Sequence, residues 1–274
     1  MTGRSQAISV AKMRGNVRET IEDSVAIEEP LEIRLGYEDA GTRRTRSVSI
    51  TMRTPGDDED LATGFLFTES IVRSPDDIAI IKPCDGDNTI RVELEDGVDV
   101  DLDRLQRHFY TSSSCGVCGK SSLDALRATG LEPIPAIPAQ FSRDVLVEIP
   151  GRLRAMQETF EETGGLHAAA AFSSDGELLV VREDIGRHNA VDKVIGALLR
   201  AARLPARDLG LMVSGRASFE LMQKAAVAGM PLLAAVSAPS SLAVELAREF
   251  NMTLVGFLRG DTFNVYAGEE RIAE

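Results

Sequence analysis

Three short apolar runs, residues 209–213, 231–236 and 253–258, are separated by amphipathic stretches of helical length at 217–228 and 241–249. Runs this short suit buried strands, so the order reads strand, helix, strand, helix, strand. Strands joined through helices pair in parallel rather than through tight turns. They form a sheet that is at least partly parallel and is covered by its own connections. The expected fold class of this part is therefore α/β.

The alternation begins near residue 142. Residues 166–172 and 177–182 read as strands around an Asp175-Gly176 turn, and 187–200 as a helix. A further helix is expected at 153–162, closed by Gly164-Gly165 as a left-handed cap. The preceding part reads as α+β. Strands at 32–37 and 46–52 flank Asp39-Ala40-Gly41-Thr42, a helix follows at 57–71, and short strands at 78–82, 89–94 and 98–102 precede a helix at about 121–128. Pro133, Pro135 and Pro138 mark a stiff connector. The expected division is a flexible N-terminus at 1–20, an α+β part at 21–140 and an α/β part at 141–274.

With 274 residues, 43% of them hydrophobic, the chain can bury one large core or two smaller ones. No uncharged stretch is long enough to cross a bilayer, and no apolar segment follows the basic residues of 1–16. A cytoplasmic protein without a membrane partner is expected. The net charge of −13 argues against nucleic-acid binding, which relies on Lys and Arg to neutralise phosphates. Residues 53–103 hold 15 acidic and 4 basic side chains, a solvated face, so an anionic ligand belongs elsewhere.

In an open α/β sheet, that place is beyond the carboxyl ends of the strands. The loops there are 183–189, Ser214-Gly215-Arg216-Ala217-Ser218, 237–241 and Phe257-Leu258-Arg259-Gly260-Asp261-Thr262. Glycine admits a ligand to the backbone, helix N-terminal amides favour phosphate, and arginine binds it bidentately. His188, in the first of these loops, is a candidate base or ligand, or a first-turn helix residue beside acidic neighbours. His167 is similarly open, and His108 reads as structural.

Two of the three cysteines, Cys115 and Cys118, are two residues apart in Ser113-Ser114-Cys115-Gly116-Val117-Cys118-Gly119-Lys120. A lysine and a following helix N-terminus lower a thiol pKa, and the glycines and serines describe an exposed loop. A zinc site needs two more ligands, and the chain has neither a second Cys-x-x-Cys nor a His-x3-His. No structural metal is expected. A dithiol oxidoreductase sets its pair at a helix start directly after a strand, unlike this glycine-bracketed run, but it remains an alternative.

The same run, with Thr54-Pro55-Gly56-Asp57-Asp58, Gly64-Phe65-Leu66-Phe67-Thr68-Glu69, Thr163-Gly164-Gly165-Leu166-His167, Ser214-Gly215-Arg216 and the segment from Arg182-Glu183-Asp184-Ile185-Gly186-Arg187-His188-Asn189 to Asp192-Lys193, resembles the FdhD family of formate dehydrogenase accessory sulfurtransferases. The likeness covers nearly the whole chain in order. One departure is Ser70, where the family pattern has glycine.

The resemblance implies a sulfur carrier. A cysteine desulfurase would load Cys115 with sulfane sulfur as a persulfide, with Cys118 as its partner. The sulfur would pass to the molybdenum bis(molybdopterin guanine dinucleotide) cofactor, bound as cargo, before insertion into apo formate dehydrogenase. It further implies a cytidine deaminase-like C-terminal domain, with a mixed sheet flanked by helices, and a homodimer. Phe257, Leu258, Arg259, Gly260, Asp261 and Thr262 would hold the cofactor, joined by Ser214, Gly215, Arg216 and His188. A cofactor chaperone that transfers no sulfur is the other alternative.

Overall fold

The computed structural model describes residues 3–84, 86, 88–100, 123, 126–127, 130–136 and 141–274. Its N-terminal sheet is built on the hairpin of β3 (Glu29–Asp39) and β4 (Thr42–Arg53). Ala40 and Gly41, at φ 50° and 76°, make the left-handed two-residue turn that matches strand twist. β5 (Ile78–Pro83) and β6 (Thr89–Leu94) complete the order β4-β3-β6-β5, with β6 parallel to β3. Leu31, Ile33, Leu35 and Tyr37 alternate along β3 and bury one face. Against that core lies α1 (Asp58–Thr68), whose first turn carries Asp58, Glu59 and Asp60, favourably placed at the positive end of the helix dipole.

The C-terminal part begins with the short strand β7 (Phe141–Ser142), which pairs in parallel with Ile272–Ala273, and its main sheet has six strands, β8 to β13, in the order β13-β12-β11-β10-β8-β9. β10 (Gly210–Val213), β11 (Leu232–Ala235) and β12 (Thr253–Arg259) are parallel. β8 (His167–Phe172) and β9 (Leu178–Asp184) extend one edge and β13 (Thr262–Ala267) the other, all antiparallel to their neighbours. The sheet is therefore mixed, as expected of an α/β part. One face packs on α4 (Arg187–Arg200), α5 (Phe219–Val227) and α6 (Ser241–Glu249), in a core continuous with that of the N-terminal sheet. The other packs on α2 (Arg143–Ala155) through Leu146, Ile149 and Leu153.

Three local expectations need correction. The segment expected as a flexible N-terminus at 1–20 is structured from Ser5 on: Ser5–Arg14 (β1) pairs antiparallel with Val17–Ala26 (β2) in full register, main-chain pairing that a mostly polar, exposed segment does not advertise. In place of one helix at 153–162 there are two, α2 and α3 (Glu158–Thr163). Ser142 caps α2 by accepting from the Val145 amide at 3.2 Å, and the buried apolar face carries the helix through Pro150 despite its missing N–H. Residues 98–100 form no strand, and the rest of the strand expected at 98–102 lies outside the described residues, as does most of the helix expected at 121–128.

Candidate functional site

The loops beyond β10, β11 and β12 are joined by main-chain hydrogen bonds. The Val236 amide donates to Val213 O (3.2 Å), the Ser237 amide to Gly215 O (3.3 Å) and the Phe257 amide to Ser237 O (3.2 Å). Ser214 ties in β8: its amide donates to Ala168 O (3.0 Å), and its Oγ accepts from the Ala168 amide at 2.9 Å. The predicted segments 214–216 and 257–262 thus meet at one sheet end.

Phe257 has φ 53°, a left-handed conformation unusual for a bulky residue, at a register shift between β12 and β13. The residue stands 40% exposed. A β-carbon at Gly256 would come within 2.9 Å of the Tyr266 ring and 3.0 Å of Pro239, so this approach requires glycine. Leu258 is fully buried in the core, leaving only its main chain to any ligand. Arg259, Gly260, Asp261 and Thr262 are exposed. The Arg259 Nε donates to Val236 O at 2.9 Å, which lays the side chain across the end of β11. Arg216 is exposed on the neighbouring loop.

Beside these loops opens a cleft of about 570 Å3, walled by Leu153, Phe160, Leu166, Met212 and Val236, with His167 and Ser214 at the strand end. The Arg154 guanidinium covers the Phe160 ring at 4.0 Å from its centroid. Burial, reinforced by the nearby Arg187 guanidinium, holds His167 below the usual imidazole range. Sequence reasoning placed no site residue between 143 and 163. The available signal was the run Gly164-Gly165-Leu166-His167, whose glycines bring the end of α3 to the cleft.

His188 faces a different space, a cavity of about 230 Å3 with Ile33, Phe65, Glu220 and Lys224 in its lining. Its Nε2 is buried without a hydrogen bond, and the Glu220 carboxylate is 4.0 Å away. Burial, then Arg187 and Lys224, push its pKa down to about 4, so the imidazole is neutral at pH 7. Of the other polar residues of loop 183–189, Arg187 also keeps a buried Nε without a hydrogen bond, whereas the two carboxylates and Asn189 are occupied internally. Glu183 accepts from the Thr159 and Phe160 amides, capping α3, while Asp184 and Asn189 bond within the fold.

Cys115 and Cys118 lie outside the described residues, as does His108. Cys84 is a half-buried free thiol. Among the described residues no three His, Cys, Asp or Glu side chains are grouped to hold a metal ion, and no helix is long and apolar enough to cross a membrane.

The FdhD/NarQ family profile matches residues 26–273. The chain belongs to this family. It is 52% identical over 273 residues to the "Sulfur carrier protein FdhD" of Streptomyces coelicolor, covering 96% of this chain and 94% of that one. The protein of the same name from Sulfurisphaera tokodaii is 43% identical, covering 97% and 98%. A crystal structure from Desulfotalea psychrophila, of a protein described as a formate dehydrogenase accessory protein, superposes with a TM-score of 0.78 at 25% identity, covering 99% of this chain and all of that one. The likeness in fold therefore extends over both the four-stranded and the six-stranded sheet.

Proposed function

We propose that this chain is a sulfurtransferase that carries sulfane sulfur on Cys115 to the bis(molybdopterin guanine dinucleotide) cofactor of a formate dehydrogenase. The observation that carries the reading is the Cys115-Gly116-Val117-Cys118 run in a chain 52% identical to a sulfur carrier protein. In the loading step the Cys115 thiolate attacks the terminal sulfur of a desulfurase cysteine persulfide. The desulfurase S–S bond breaks, its thiolate leaves, and Cys115 holds the persulfide. In the second step the Cys118 thiolate attacks Cys115 Sγ, the persulfide S–S bond breaks, and sulfide leaves for the cofactor, its two electrons supplied by oxidation of the two thiols to a disulfide that is later reduced by an external thiol.

The cargo sits at the strand ends of residues 141–274, a mixed sheet of the cytidine deaminase-like kind. Phe257, Arg259, Gly260, Asp261 and Thr262 surround it, with Ser214, Gly215 and Arg216 alongside, and main-chain amides and guanidinium groups meet its phosphates. His188, turned toward the second cavity, serves the site indirectly. A cytoplasmic homodimer fits the exchange with a desulfurase and with apo formate dehydrogenase.

The test is intact-protein mass after incubation with a cysteine desulfurase and cysteine. Wild type gains one sulfur atom on Cys115, and Cys115→Ala gains none and fails to mature formate dehydrogenase in cells. Full maturation by Cys115→Ala would leave a cofactor chaperone as the reading.

A further inference from the structure

The ribbon of β1 and β2 takes no part in the chemistry above. It precedes residue 26, where the family profile begins, and none of its residues lines either cavity. Among the described residues its two strands pair only with each other, and every residue from Ala11 to Thr20 is exposed. Ten residues of strand extend about 34 Å. A two-stranded hairpin standing alone is at best marginally stable in water. At its base the ribbon is anchored on α3: Ser5 Oγ donates to Glu162 Oε1 at 2.8 Å, and a β-carbon on Gly165 would stand 3.7 Å from the Ala26 Cβ.

The register sorts the side chains into two faces, because opposed residues share a face and successive ones alternate. Ser5 and Ala26, the pair at α3, belong to a face of small and polar groups with Ala7, Ser9 and Ser24. The opposite face, turned away from α3, carries Ile8, Val10, Val17, Ile21 and Val25, with Val10 directly across from Ile21. Val17 and Val25 are 56% and 38% exposed. An apolar face turned to solvent marks an interaction surface.

The charges on that face indicate what covers it. Lys12 and Arg14 stand there beside Glu19 and Asp23, two of each sign in a chain of net charge −13. Lys12 is directly across from Glu19. A balanced face around a Val10 and Ile21 centre is self-complementary, as a two-fold interface requires, and it lets two acidic chains meet without net repulsion.

We infer that the ribbon docks on the same ribbon of a second copy, the two apolar faces packing around Val10 and Ile21, with Lys12 and Arg14 of each chain against Glu19 and Asp23 of the other. This rests on the reading of the chain as a homodimer, and it names the surface that joins the copies.

Light scattering after gel filtration of the full chain tests it, with melting temperature as the control for folding. Val10→Asp combined with Ile21→Asp should convert dimer to monomer and leave the melting temperature unchanged, since neither hydrophobic core includes a ribbon residue. Lys12→Glu with Arg14→Glu makes the face wholly acidic, and Glu19→Lys with Asp23→Lys makes it wholly basic. Each of these variants should be monomeric alone, and a mixture of the two should form a dimer containing one of each. Unaltered dimers in all three variants overturn the ribbon's role and leave the homodimer standing. Charge variants that stay monomeric when mixed overturn the match between the faces. A wild type that is monomeric at every concentration overturns this inference and the homodimer together.

Discussion

The Lys193 Nζ lies 2.8 Å from Asp184 Oδ2, and both side chains are wholly out of solvent. Every remaining group of the pair is engaged. Lys193 also donates to Thr54 O at 3.0 Å and Glu183 O at 3.4 Å, while Asp184 accepts from the Thr54 and Gly186 amides and from Asn189 Nδ2. Asn189 reaches on to Met52 O at 2.8 Å. The pair therefore pins the end of β4 to the start of α4, and so fixes where Arg187 and His188 stand.

A buried ion pair contributes little beyond its desolvation cost, but removing one partner strands the other. Lys193→Met should therefore lower unfolding stability by about 3–5 kcal/mol. Urea unfolding at pH 7 measures it; a loss below about 1 kcal/mol would mean that water or a rearranged backbone satisfies Asp184.

Gly64 of α1 and Gly196 of α4 mark the point where the two helices cross. A β-carbon at Gly64 would overlap the Asp192 carbonyl, and one at Gly196 the Asp60 carbonyl, both of them backbone atoms that cannot rotate away. An alanine in an exposed helix normally gains up to about 1 kcal/mol over glycine. Here the sign should reverse: Gly64→Ala or Gly196→Ala should cost about 3 kcal/mol or more by overpacking. Thermal unfolding of each variant decides the sign.

The sheet that carries the strand-end loops was legible because its strands are short, apolar and separated by amphipathic helices; the helix at 187–200 matches α4 in both bounds. Periodicity does not show which loops face each other. Loop 183–189 looks like a ligand loop by composition, yet Glu183, Asp184 and Asn189 are spent on α3, Lys193 and β4, and only Arg187 and His188 retain unbonded buried nitrogens. Leu258 lies in a predicted binding segment but alternates into the core, as strand geometry requires between exposed Phe257 and Arg259. The cleft wall from α2 and α3 was hidden because the single helix expected at 153–162 leaves out most of α2, whose buried face of Leu146, Ile149 and Leu153 carries the helix through Pro150.

His188 should make stability depend on pH. The native chain holds its imidazole neutral down to about pH 4, whereas the unfolded chain takes up a proton near 6.5. Between those values the unfolded state binds more protons, so this contribution is present above pH 6.5 and declines as pH falls toward 4. With its side chain 38% exposed, solvent screening tempers the effect, so its direction is the prediction. Urea midpoints at pH 7, 5.5 and 4.5 should fall less steeply for His188→Gln than for wild type. Parallel profiles would show that the imidazole is solvated in the native state.

Arg259 offers the sharpest separation of binding from stability. Its Nε is held by Val236 O at 2.9 Å, which orients the guanidinium at the rim while its other donors face outward. No core packing depends on it, so Arg259→Ala should change unfolding stability by no more than about 0.5 kcal/mol. A charge-assisted contact to a phosphate that closes over it contributes about 1.5–3 kcal/mol, roughly ten- to a hundredfold in affinity. The variant should therefore lose that factor for guanosine diphosphate while Cys115 still accepts sulfur. Titration and intact mass on one preparation check both halves. Unchanged affinity would move the phosphates away from the turn between β12 and β13, and failure to load sulfur would show that this turn also takes part in the desulfurase encounter.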